Sequence, residues 1–363
     1  MSRRAIALAV PSALLLLLCS SAFGAVRVVK GPAIPPDPST VPANTIMIGG
    51  PLASDKGVQA PAGPALPAPT GRQRVGFARP ASQAKRNVTN SPLQYHGGPT
   101  LLHATNYAFF WEPPKLQNGA PASVPSNYNA LIGRYFQDIG GSGLYNMLKQ
   151  YYWDYQGSRY YIQNSTNYGG YVIDRAAYPR GCTSSTTGVN CMSDAQLQAE
   201  VRKVLTAAHL TPGYNQFFLY TSKGEGNCFN ASTCFGPGGY CAYHTYGQYG
   251  SSSFIYANMP YAGIASGCLA RAGTQVLAPN GDSATDAEIA ITSHEQIEAV
   301  TDPYLNAWYG PGGLSDEISD KCTGYYGTRP YLGGKANQLL KGHYYILPTE
   351  WNNAKFGCTK TGP

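Results

Sequence analysis

The sequence predicts an α+β fold, a single disulfide-stapled domain in which a mixed sheet packs against helices. Three observations predict it. Stretches with apolar residues at helical spacing, around Leu131, Val201 and Ile297, alternate with short apolar runs bounded by Gly and Pro. Of nine cysteines, all but Cys19 fall after residue 180, as expected of a cross-linked domain in an oxidising compartment. Only 12% of residues are charged while Tyr reaches 28 and Gly 42, a balance that suits half-buried strand faces more than a dedicated sugar platform.

The chain opens with Arg3 and Arg4, an apolar run culminating in Leu14 to Leu18, and a small-residue exit at Ala22 and Gly24. This is the pattern of a signal peptide over residues 1–24, with Ala25 as the mature start. Pro11 and Ser12 interrupt the run, which is too short to span a bilayer, so no stable membrane anchor is expected. Bulky Leu18 before Cys19 argues against a lipoprotein, and Cys19 is expected to leave with the signal. The predicted location is therefore secreted, extracellular or cell wall.

Residues 25–90 are rich in Pro, Ala and Gly, with pieces such as Pro35-Pro36-Asp37-Pro38 and Pro61-Ala62-Gly63-Pro64. They carry too little apolar surface to fold alone and are expected to be a disordered linker or propeptide. Gln83-Ala84-Lys85-Arg86 is a candidate processing site, with a solvated charge cluster as the default reading.

The globular domain is predicted over residues 91–363. It begins with the turn Tyr95-His96-Gly97-Gly98-Pro99 and a strand from Leu101 to Phe110, stopped by Trp111-Glu112-Pro113-Pro114. Helical spacing follows over Asn127 to Asp138 and Gly143 to Tyr152, and Tyr160 to Gln163 with Gly170 to Asp174 read as a strand pair. Ser193-Asp194-Ala195-Gln196 forms a capping box for a helix whose inner stripe is Leu197, Val201, Val204, Leu205 and Ala208. Gln216 to Thr221 and Phe254 to Met259 read as strands flanking a cysteine-rich loop. Thr285-Asp286-Ala287-Glu288 predicts a second capping box, and Pro303 ends that helix. A strand from Tyr344 to Leu347 and a covalent tie at Cys358 close the chain.

Without Cys19, the remaining Cys182, Cys191, Cys228, Cys234, Cys241, Cys268, Cys322 and Cys358 predict four disulfides. Short loops favour Cys182 with Cys191, and Cys228 with Cys234 or Cys241. No tight Cys-x-x-Cys pair supports a zinc cluster instead. The formal charge of +7 lies partly in the signal and around Arg72, Arg74, Arg79, Lys85 and Arg86, so no nucleic-acid partner is predicted. Neither a Gly-x-Ser-x-Gly elbow nor a phosphate loop occurs. Asn87, Asn164 and Asn230 each begin a glycosylation sequon.

One segment combines strong ligand types at useful spacing: Ser293-His294-Glu295-Gln296-Ile297-Glu298-Ala299-Val300-Thr301-Asp302-Pro303. Four residues apart on a helix, His294 and Glu298 share a face and can approach one zinc ion, while Glu295 reaches a bound water as general base. The pattern is the zinc peptidase His-Glu-x-x-His with Glu as second ligand. Asp302, Glu317 and Asp320 are the candidate third ligands, with His244 and His343 as outside candidates. An anionic second ligand makes the metal's water less acidic, and an exposed polar helix face is the competing structural reading. His96, His103 and His209 read as structural.

Tyr95-His96-Gly97-Gly98-Pro99, Cys241-Ala242-Tyr243-His244, Ala278-Pro279-Asn280-Gly281-Asp282 and Tyr344-Tyr345-Ile346-Leu347 before Cys358 resemble the EXORDIUM-like, or phosphate-induced, secreted proteins. The resemblance runs from about Tyr95 to the C-terminus. It implies an extracellular, wall-associated protein, since plant members are connected with growth and brassinosteroid response without an agreed enzymatic activity. The block from His294 to Pro303 looks like the version in bacterial relatives, plant members lacking His-Glu there. The order of strand, helix, strands and His-Glu helix is similar to zincin folds.

Two functions from different classes are therefore expected. One is a secreted zincin-like metallohydrolase acting on peptides with Zn as cofactor. The other is a noncatalytic extracellular or cell-wall-associated protein that binds polysaccharide or a surface partner.

Overall fold

The computed structural model describes residues 26–53, 63–80, 91–180, 191–328 and 332–363. The predicted signal peptide, the candidate processing site, Asn87 and Cys182 lie outside the described residues.

The architecture is α+β, built on an eight-stranded mixed sheet. Its strands are β1 (Arg27–Lys30), β2 (Thr45–Gly49), β3 (Gly76–Ala78), β4 (Ala104–Trp111), β5 (Thr166–Asp174), β6 (Asn215–Thr221), β7 (Ala242–Tyr249) and β8 (Ser252–Met259). They lie in the order β1-β2-β5-β4-β6-β8-β7-β3. The central four, β5, β4, β6 and β8, run parallel. β2 on one side, and β7 on the other, add antiparallel to them. Apolar runs such as Phe217-Phe218-Leu219-Tyr220 are buried on both faces, as central parallel strands must be.

Among the described residues, three α-helices cover those faces: α1 (Tyr128–Asp138), α2 (Asp194–Ala207) and α3 (Ser283–Thr301). Adjacent residues of β7 show which side each takes. Tyr243 donates its hydroxyl to Asp194 at the start of α2, at 2.7 Å, whereas His244 faces Glu295 of α3 at 3.1 Å. Because successive side chains in a strand point to opposite faces, α2 and α3 lie on opposite sides of the sheet. α1 packs beside α3, where the Tyr135 hydroxyl donates to Gln296 at 2.6 Å and Phe136 meets Phe218 of β6 at 4.9 Å between ring centroids.

The expected capping box of α2 is present, with Ser193 accepting from the Gln196 N–H and the Gln196 side chain accepting from the Ser193 N–H. The expected box at Thr285 is corrected. α3 starts earlier, with Asp282 accepting from the N–H groups of both Ala284 and Thr285 at 2.9 Å. A carboxylate two residues before an apolar-periodic segment caps it as well as a Thr does, and Thr285 is buried within the helix. Every residue from Thr285 to Thr301 is buried, so α3 has no solvated face.

Other expectations are also corrected. The stretch 25–90 is not disordered where it is described, because β1, β2 and β3 belong to the main sheet. Its composition cannot build a core, yet short extended pieces can pair with the edges of a sheet that already exists. Ser158–Tyr161 pairs with Tyr152–Tyr155 in a separate hairpin and not with Gly170 to Asp174, which lies inside β5. Gly143 to Tyr152 yields a tighter 3-10 segment, Tyr145–Gln150, in place of an α-helix.

Three disulfides are formed among the described residues: Cys228–Cys234, Cys241–Cys268 and Cys322–Cys358. The first settles which of the two near partners Cys228 takes. Cys191 is disulfide-bonded as well. No helix among the described residues is long and apolar enough to cross a membrane.

Candidate metal centre

α3 carries the candidate ligands into the interior. His294, Glu295 and Glu298 are all buried, His294 at 5% exposure and the two glutamates at 0%. The exposed-face alternative therefore fails for these residues. Glu317 and Asp320 arrive on a loop that ends in the short 3-10 turn Asp320–Cys322, held by the Cys322–Cys358 disulfide. Asp320 donates its backbone N–H to Glu298 Oε1 at 2.9 Å, which fastens this loop to α3. Ser319 reinforces the junction, its hydroxyl 2.6 Å from Glu350 Oε2 and 3.2 Å from the carbonyl of His294.

Two groups of ligand atoms converge. His294 Nε2 lies 3.2 Å from Glu298 Oε1 and 3.5 Å from Asp320 Oδ1. His244 Nε2 lies 3.7 Å from Glu317 Oε1, and His244 Nδ1 lies 3.7 Å from Glu298 Oε2. Within each group the contributed atoms are all within 4.8 Å of one another. Asp302 belongs to neither group. Its Oδ1 accepts from the N–H groups of Asn306 and Ala307 at 2.6 Å each, turning the chain after α3.

The sequence offers His244 only as an outside candidate, yet it sits at the centre. The signal was available in part: β7 is an apolar strand in which His244 occupies one face between Ala242 and Tyr246, so its ring had to be buried or partnered. His343 lies elsewhere, with Nδ1 2.6 Å from Asp138 Oδ2. The histidines read as structural have ordinary partners where these are seen. His103 bonds Ser165 and Asn167, and His96 stacks on Tyr309.

The electrostatics follow from crowding carboxylates in the interior. Burial pushes the Glu317 carboxyl well above its usual range, and the negative charges of Glu298, Asp302, Asp320 and Glu295 push it further. Burial raises Glu295 and Asp320 too, and brings Asp302 to about 7. For His294, burial works downward, but Glu298 and Asp320 outweigh it and hold the imidazole well above its ordinary value. Burial prevails at His244, whose imidazole is lowered.

Glu295, the expected general base, has both oxygens engaged. Oε1 accepts from the backbone N–H of Ala78 in β3 at 3.2 Å, and Oε2 lies 3.1 Å from His244 Nδ1. β3 runs antiparallel to β7, pairing Gly76 with His244, and so lies across the cluster. A cavity of about 40 Å³, bordered by Ala78, Arg79, Cys241, Ile291 and Tyr326, reaches His294.

Residues 256–360 match the family described as the phosphate-induced protein 1 conserved region. Two Arabidopsis thaliana proteins are similar. Protein EXORDIUM-like 3 is 35% identical over 98 residues, 23% of this chain and 29% of that protein. Protein EXORDIUM-like 5 is 35% identical over 65 residues, 17% of this chain and 18% of that protein. Over residues 256–360 the chain is thus similar to the EXORDIUM-like, phosphate-induced proteins, and its matched parts span under a third of the length of these relatives. The matched region contains α3, Glu317, Asp320 and the motifs at Ala278 and Tyr344, whereas the motifs at Tyr95 and Cys241 precede it. No solved structure matches the chain.

Proposed function

We propose that this is a secreted, noncatalytic EXORDIUM-like protein that binds extracellular or cell-wall polysaccharide or a surface partner, with a zinc ion stabilising its interior. The state of Glu295 carries the noncatalytic reading. A general base must present a free oxygen to an attacking water, and this carboxylate is fully buried with both oxygens engaged beneath β3. Disulfide bonding and the family match support an extracellular location. The Tyr152–Tyr155/Ser158–Tyr161 hairpin, on which Tyr161 is exposed and Arg159 sits 3.6 Å over the Tyr152 ring, supports an aromatic surface for sugar contact.

The residues fit zinc. His294 Nε2 and Asp320 Oδ2 are buried without a hydrogen-bond partner among the described residues. Donors about 2.1 Å from a tetrahedral ion stand roughly 3.4 Å apart, which agrees with the 3.2 and 3.5 Å separations around His294 Nε2. His294, Glu298 and Asp320 would hold the ion, whose charge offsets that of the buried carboxylates.

This convergence is also what favours the second reading, a zincin-like peptidase with Glu295 as base, which requires β3 to leave the cluster. Metal analysis and peptide hydrolysis on the wild-type chain, His294→Ala and Glu295→Gln decide between them. A zinc content that falls only in His294→Ala, with no hydrolysis in any form, supports the noncatalytic protein. Hydrolysis by the wild type that disappears in Glu295→Gln while zinc stays establishes the enzyme. Binding of the purified chain to wall polysaccharide, reduced in Tyr161→Ala, tests the hairpin.

A further inference from the structure

Glu298 turns its two carboxylate oxygens toward different imidazoles. Oε1 lies 3.2 Å from His294 Nε2, Oε2 lies 3.7 Å from His244 Nδ1, and His244, Glu298 and Glu317 each offer a ligand atom within 4.8 Å of the others. Beyond His244, both Glu317 oxygens and His244 Nε2 have no hydrogen-bond partner among the described residues, although both side chains are 0% exposed. Burying such atoms unpartnered is costly, so their arrangement needs a physical reason.

A shared proton does not supply one. His244 Nε2 and Glu317 Oε1 are 3.7 Å apart, beyond hydrogen-bonding range, but close to the spacing of two ligands on one metal ion. On the other side of the ring, Glu295 Oε2 lies 3.1 Å from Nδ1. A carboxylate on one ring nitrogen is how proteins orient an imidazole whose other nitrogen binds metal. The backbone makes room as well, because a Cβ at Gly76 would fall 2.4 Å from Glu317 Oε2 and 2.5 Å from His244 Cε1.

We propose that His244, Glu317 and Glu298 form a second divalent-cation site, and that Glu298 bridges it to the His294–Glu298–Asp320 site. One imidazole with carboxylate oxygens suits a zinc-class ion better than magnesium or calcium. In this arrangement Glu295 is a positioning residue for His244. The bridge rests on the first site being a metal site, while the ligands His244 and Glu317 stand independently of it.

The test is elemental analysis of the chelator-stripped full chain after reloading with Zn²⁺ and removal of excess ion. Folding is checked by circular dichroism. Glu317→Gln is the main variant because it keeps the size of the side chain, and His294→Ala probes the first site. The expected result is two zinc ions per wild-type chain, one in Glu317→Gln and one in His294→Ala, and weakened loading of both positions in Glu298→Gln. One zinc per wild-type chain, lost in His294→Ala and kept in Glu317→Gln, overturns the second site and leaves the first standing. One zinc lost only in Glu317→Gln keeps the second site, but removes the bridge and the first site. No zinc in the folded wild type overturns both.

Discussion

Gly76 passes so close to Glu317 that a Cβ added there would lie 2.4 Å from its Oε2, nearer than such contacts occur. Residues from a stretch with too little apolar surface to fold alone thus complete the wall of this carboxylate-rich part of the interior. Gly76→Ala should lower the stability of the chain by roughly 1–3 kcal/mol through overpacking, read from urea unfolding. An unchanged midpoint would mean that β3 does not press on the cluster.

The N-terminus of α3 offers a paired comparison. Asp282→Ala removes the acceptor for two backbone N–H groups and should cost about 1 kcal/mol. Thr285→Val replaces a buried hydroxyl that has no hydrogen-bond partner among the described residues, and should be neutral or stabilising. The reverse ranking in thermal melts would return the cap to Thr285.

Glu288 gives a pH dependence away from the candidate metal centre. Burial raises its carboxyl to about 8, while Oε2 accepts from the Ala262 N–H at 2.9 Å. The folded state holds the proton that the unfolded chain releases near pH 4.5, so stability is full below that pH and declines as pH rises toward 8. Glu288→Gln keeps the acceptor and removes this decline, for a gain on the order of a few kcal/mol at pH 8 and little change at pH 4. Parallel melting curves for the two proteins across that range would refute the assignment.

The Cys322–Cys358 bond closes a loop of 36 residues that contains the end of the Asp320 turn. Replacing both cysteines with Ala should cost on the order of 3–4 kcal/mol. If His294, Glu298 and Asp320 hold the proposed zinc, its loading should fall as well, because the turn that presents Asp320 loses its anchor. Full loading in the double variant would show that the Asp320–Glu298 backbone contact suffices.

What could be read in advance depended on range. The α2 capping box was correct because its signals lie within four residues, and β6 and β8 were found as apolar runs between breakers. The Tyr160 to Gln163 pairing failed because any extended run matches another until the sheet order is known. Nothing in its Pro- and Ala-rich stretch marks Gly76, since its importance lies wholly in what it passes over.

Local sequence established the α+β character, the helix bearing His294, Glu295 and Glu298, and the cysteines that cross-link the domain, because periodicity, caps and residue chemistry act over a few neighbours. The fold alone placed His244 opposite Glu317, gave Asp320 to His294, diverted Asp302 to a turn, and drew β3 over Glu295. Apart from the local Asp302 turn, those relations join residues 26 to 217 positions apart, and strand order and loop closure set their geometry. Spacing along the chain carries no record of either.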